Sequence, residues 1–169
     1  MKFDYRFLAA IPIVTIPAIF MRSIFIAAVM IIATIMVSYF SKRTRLKKFG
    51  LELVTFTTVL IGVMFGALPG AIVGAVLILL HDVITGRIAS YLLIVVPFFG
   101  VIGAIAGTFA SVDIITLGVG LALLSHLVFI FSRTIAGRFP ISYIPYFAFN
   151  MLFNFFLFSN VAPKLLGLF

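Results

Sequence analysis

Cysteine and tryptophan are both missing from this 169-residue chain, and only 4 of its residues are acidic. Without cysteine there is no disulfide framework, no thiolate metal site and no cysteine nucleophile. The four carboxylates, Asp4, Glu52, Asp82 and Asp113, and the two histidines, His81 and His126, are widely separated. They form no His-Glu-x-x-His zinc motif and no aspartate array for magnesium, and the chain has no serine in a glycine elbow and no glycine-lysine phosphate loop. An enzyme is therefore not expected, and neither is a cofactor or a metal centre. An ATP-binding cassette is missing too, so active transport by this chain would draw its energy from another subunit or an ion gradient.

What fills the chain instead is apolar: 64% of residues are hydrophobic and 9% charged, with 21 Phe. A soluble domain of this length has too little interior to cover so much apolar surface. The composition predicts one integral membrane domain over residues 1–169, an all-α polytopic bundle in contact with the lipid bilayer. The net charge of +8 sits between apolar spans, where basic residues set orientation and meet anionic lipid. Nothing resembles a groove-reading element, so nucleic acid is not an expected partner.

Apolar segments fall at about 7–20, 23–40, 51–66, 69–84, 89–110, 114–132 and 141–160, giving six or seven membrane segments. The first carries Pro12 and Pro17 and precedes Arg22; it crosses, lies at the interface, or merges with 23–40 into one kinked helix. No small-residue cleavage site leads into a polar mature chain, so a signal peptide is not expected. Lys42, Arg43, Arg45, Lys47 and Lys48 crowd one short loop, which by the positive-inside rule is cytoplasmic. Alternation from there puts Arg87, Arg133 and Arg138 on the same side and Pro69, Asp113 and Lys164 opposite.

The longest apolar tract, 49–86, would far exceed a hydrocarbon core of about 30 Å as one helix rising about 1.5 Å per residue, so a turn is expected at Ala67-Leu68-Pro69-Gly70. Gly62, Gly66, Gly70 and Gly74 recur every fourth residue. Small residues so spaced share a helix face and let backbones approach closely. Gly100, Gly103 and Gly107 form a second such face. Both sets serve packing within the membrane or the docking of a partner subunit.

Ionisable groups within apolar spans are costly and are candidate sites. Glu52 opens its segment beside the basic loop, as a helix N-terminal acid would. His81-Asp82, with Arg87 nearby, is either a solvated interfacial cluster or a polar mouth for a ligand. His126, beside Ser125, bonds a neighbouring helix or lines a pocket. In the last segment, Tyr143, Tyr146, Asn150 and Asn154 fall at spacings of three and four, one stripe that should face the bundle interior. Either that stripe only ties helices together or it binds a small molecule. Asn160 and Pro163 read as a helix end.

The tract LIGVMFGALPGAIVGAVLILLHDVITG resembles the second-to-third helix region of substrate-capturing S components of energy-coupling factor transporters. VPFFGVIGAIAG resembles the next glycine-bearing helix of that family, and the segment with Asn150, Asn154 and Pro163 is similar to its last one. The resemblance implies a six-helix bundle in a prokaryotic cell membrane that binds a vitamin or similar small nutrient, then works with a transmembrane coupling subunit and ATPases. His81, Asp82, Arg87, His126, Tyr143, Tyr146, Asn150 and Asn154 are the expected ligand contacts. A second resemblance, through the glycine-rich helix ending LLHDVITG, is to rod-shape-determining membrane proteins, and implies a non-catalytic scaffold that organises a membrane complex. A reporter fused after Lys48 is expected to read as cytoplasmic; an external reading would reverse the orientation argued from charge.

Overall fold

The computed structural model describes residues 6–44, 50–135 and 143–168, with side chains from Met21 onward except that of Arg133. Arg45, Lys47, Lys48 and Arg138 of the expected basic joints lie outside the described residues. Within them every regular element is helical: α1 (Arg6–Arg43), α2 (Val54–Phe65), α3 (Ala67–Thr85), α4 (Leu92–Thr108), α5 (Ile114–Ile135) and α6 (Tyr143–Phe156), which runs through a π turn (Leu157–Val161) into α7 (Ala162–Leu166). The chain is an all-α membrane bundle. Four stretches are long and apolar enough to cross a bilayer: Met21–Arg43, Ala67–Thr85, Ile114–Ser132 and Tyr143–Leu166.

Segments 7–20 and 23–40 are one helix of 38 residues. The hairpin of α2 and α3 turns at Gly66, one residue before the expected stretch. Its φ of 94° suits glycine, and its N–H donates to Gly62 O at 2.8 Å, closing α2. Pro69 falls in the first turn of α3, where a backbone N–H has no intrahelical acceptor and its loss costs nothing. The chain did not need proline to turn; it needed a residue without Cβ.

Gly70, Gly74, Gly103 and Gly107 hold α3 and α4 at backbone contact. A Cβ built at Gly70 would stand 2.5 Å from Gly103 O and 2.6 Å from Gly62 Cα, so α2 joins the same contact. Cβ atoms at Gly103 and Gly107 would run into the backbone of Gly70 and of Ala67. A Cβ at Gly66 would meet nothing within 4 Å, although the Gly66 backbone is itself among the atoms a Cβ at Gly107 would strike, and the nearest approach to a Cβ at Gly100 is an ordinary 3.4 Å. Gly100 therefore leaves the expected packing set, while Gly66 stays in it through its backbone and not through its missing side chain. Around this contact lies the core, in which Phe56, Val59 and Leu60 of α2 meet Leu77, Ile102 and Phe158. Gly118 of α5 makes room for the Phe158 ring, which stands edge-on to Phe56 at 5.1 Å.

Two helix ends position the site. At the end of α3, Gly86 takes a φ of 71°, its N–H donating to Val83 O at 3.2 Å and that of Arg87 to Asp82 O at 2.8 Å. This Schellman motif folds Arg87 back over the last turn. Near the end of the last span, the helix continues past Asn160 and Pro163 instead of stopping. Pro163 has no N–H and its ring crowds the carbonyl four residues back, so the helix widens into a π turn just before it, with Ala162 N–H donating to Leu157 O. At the start of α5, exposed Asp113 accepts from the Thr116 N–H at 2.9 Å and its hydroxyl at 3.0 Å, which holds the carboxyl below its usual range.

Antiparallel alternation gathers Lys42, Arg43 and Arg87 at one end of the bundle and the Gly66 turn, Asp113 and Lys164 at the other. Replacing Gly103 by Ala is expected to lower the unfolding midpoint in detergent by the equivalent of about 1–3 kcal/mol through overpacking. Gly100→Ala should be neutral, or stabilising by up to about 1 kcal/mol from helix propensity. Equal tolerance at both positions would remove the backbone contact as the organising element.

Candidate functional site

Below the basic end of the bundle, the non-helical residues 50–53 lead into α2 from within the protein. In an apolar bundle, backbone outside a helix needs partners from side chains. Asn150 Nδ2 donates to Gly50 O at 2.5 Å, and Ser41 Oγ donates to Leu51 O at 3.3 Å. This short break puts Glu52 inside the bundle instead of at a helix start. The residue at the N-cap is Leu53, with no side-chain cap, and the Glu52 carboxylate turns to His81 and Tyr146. Glu52 Oε2 lies 3.3 Å from His81 Nε2 and accepts from the Tyr146 hydroxyl at 3.1 Å. The expected N-terminal role for Glu52 is thus replaced by a contact across three elements.

His81 and Asp82 are 4% and 2% exposed, which excludes a solvated interfacial cluster. Their positions in the last turns of α3 bring His81 against Ser38 of α1, with Nδ1 to Oγ at 2.8 Å. Asp82 Oδ2 is buried with no hydrogen-bond partner among the described residues. Arg87, returned by the Gly86 cap, lies over the Tyr146 ring at 5.6 Å, in cation–π range. Burial opposes its charge, but Tyr146, Glu52 and Asp82 outweigh that and raise its pKa.

Behind this corner is a second network, built on the polar stripe of α6. Asn150 and Asn154 are fully buried, Tyr143 is buried and Tyr146 half-buried. Because Asn150 Nδ2 is committed to Gly50 O, its Oδ1 faces His126 Nε2 at 2.6 Å and can only accept. The imidazole therefore carries hydrogen on Nε2, and Nδ1 accepts from the Tyr143 hydroxyl at 2.7 Å. Asn154 Nδ2 donates to the same Asn150 Oδ1 at 2.7 Å. Aromatic rings enclose the histidine: Phe147 at 5.2 Å and, beyond it, the stacked pair Tyr143 and Tyr146 at 5.0 Å.

All eight expected ligand contacts thus fall in one connected region. His81, Asp82, Arg87, His126, Tyr143 and Tyr146 line a cavity together with Glu52 and Ser125. Asn150 and Asn154 stand behind His126 and hold it in place. The cavity measures about 20 Å³, enough for one water and well below the 300 Å³ or more, roughly, of pockets that hold drug-sized ligands. Thr34, Ser38 and Ser41, a buried polar stripe on α1, were missed as neighbours of the site. Their spacing of four and three was visible, but hydroxyls on a membrane helix commonly bond their own backbone, as Ser38 does to Thr34 O at 2.7 Å.

The groups gathered here can hydrogen-bond, pair charges and exchange protons. Ser38, His81 and Glu52 have the composition of an acyl-transfer triad, but Ser38 is 2% exposed and its hydroxyl is bonded to its own helix. No group of three or more His, Asp or Glu among the described residues is placed to hold a metal. Asn150→Ala would leave Gly50 O and His126 Nε2 without their partner, and is expected to cost about 1–3 kcal/mol in the unfolding midpoint. Asn160→Ala, which removes only an exposed bond to Phe156 O, should stay within about 0.5 kcal/mol. Comparison with protein-family models, curated proteins and solved structures returns no match.

Proposed function

We propose that this chain is the substrate-binding membrane subunit of a small-solute uptake transporter, similar to the S components of energy-coupling factor systems, and acts in a prokaryotic cell membrane with a coupling subunit and ATPases. The observation that carries this reading is the corner formed by Glu52, His81, Asp82 and Arg87. Two carboxylates, an imidazole and a guanidinium are gathered beside a cavity within a membrane bundle. Charged groups inside a membrane protein are expensive to keep there and typically mark substrate or ion pathways. The buried Asp82 Oδ2 and the Arg87 guanidinium offer an acceptor and a donor, so the ligand they suit is a polar solute bearing both functions. The size of the cavity favours a compact solute, admitted by displacement of the Tyr146 ring, over a bulky one.

The scaffold reading draws less support. It came through the glycine-rich helix ending LLHDVITG and would have glycine faces meet a partner, whereas Gly62, Gly70, Gly74, Gly103 and Gly107 are used within the chain to join α2, α3 and α4.

Purified protein screened by thermal shift against vitamins, amino acids and other small polar nutrients should gain stability with one of them. A solute at a hundredfold excess over its Kd contributes about 2.7 kcal/mol. Arg87→Ala should abolish that gain. No stabilisation across the panel, from a preparation that melts cooperatively, would reject the reading.

A further inference from the structure

The Ser38 hydroxyl faces two acceptors at once. It lies 2.7 Å from Thr34 O and 2.8 Å from His81 Nδ1, and it has one hydrogen to give. If that hydrogen goes to Thr34 O, Oγ is left as an acceptor and Nδ1 must carry a hydrogen of its own. If it goes to Nδ1, that nitrogen accepts and the neutral imidazole holds its hydrogen on Nε2, which lies 3.3 Å from Glu52 Oε2, within ion-pair range. In the first arrangement a proton is needed on Nε2 or on Oε2, because two unprotonated acceptors 3.3 Å apart in a buried site repel each other. The two arrangements therefore differ by one proton, and the contacts among Ser38, His81 and Glu52 suit either.

We propose that Ser38, His81 and Glu52 form a proton-binding site inside the membrane bundle, with Ser38 as the rotor that accommodates both states.

The surroundings agree in charge. Glu52 and Asp82 bring two negative charges against the positive charge of Arg87, so one added proton makes the buried cluster neutral, the condition that a low-dielectric interior favours. The other titratable groups facing the pair are accounted for. Tyr146 of α6 donates to Glu52, Tyr91 ahead of α4 donates to Arg87 O, and His126 of α5 has both nitrogens engaged by Tyr143 and Asn150. The α2 helix carries no titratable side chain. From α1 come Ser38 and Ser41, with Lys42 and Arg43 on its exposed last turn. The adjoining cavity, lined by Glu52, His81 and Asp82, is large enough for one water. Such a water would lie among Glu52, His81 and Asp82.

The test is nitrogen-15 NMR of the full chain in micelles with labelled histidine, His126→Gln serving to assign the two rings. Over the pH range in which the protein stays folded, His81 should pass from a tautomer protonated only on Nε2 to a form protonated on Nδ1. Glu52→Gln should displace that transition by tenfold or more in proton concentration. A His81 signal that keeps one protonation state across the range, neutral or charged, would overturn the proposal. The measurement uses no solute, so its outcome is separate from that of the ligand screen.

Discussion

Everything else in this bundle depends on the meeting of α3 and α4 at Gly70 and Gly103. Between helices in lipid there is no hydrophobic effect to draw on, and attraction comes from dispersion and from polar contacts that lipid cannot supply. Dispersion weakens steeply with distance, so the absence of side chains at this crossing lets whole backbones approach instead of a few methyl groups. The crossing also admits α2 as a third helix, because Gly62 lies against the same point. Once these three helices are fixed, the last turns of α3 and the entrance to α2 lie side by side, and Glu52 and His81 have no choice but to meet.

A buried polar cluster is a second consequence of the same geometry. A short α2 of 12 residues cannot cover a bilayer thickness of about 30 Å, so the chain ahead of it enters the protein without helical hydrogen bonds. Its carbonyls are taken up by Ser41 of α1 and Asn150 of α6. The amide of Asn150 therefore ties an irregular segment to a regular one and fixes the tautomer of His126 in the same act. Removing it affects two elements at once, which is how a single polar side chain comes to specify an arrangement that apolar packing leaves open.

Much of this was legible in the residues. The fourfold glycine spacing announced the close contact, and the stripe of Tyr143, Asn150 and Asn154 announced an inward face, because both patterns follow from helical geometry alone. The turn was misplaced because Pro69 is the more familiar breaker, yet proline is harmless in a first helical turn and glycine alone suits the φ of Gly66. Glu52 was misjudged for a different reason. Its neighbours along the chain are basic and suggested an exposed cap, whereas its neighbours in space, His81 and Tyr146, are 29 and 94 residues away. The π turn ahead of Pro163 could not be read either, since whether a proline ends a helix or merely widens it is decided by what packs around it.

The cap at Gly86 ties two charges by a covalent thread only five residues long. Asp82 and Arg87 belong to one rigid turn, joined through the Asp82 carbonyl, whereas Tyr146 and Glu52 are carried by other elements. Any tilting of α6 that draws Tyr146 aside would uncover the acid and its cation as a fixed pair. The opening of this corner is then less like the parting of two jaws than like the lifting of a cover from a tool already set.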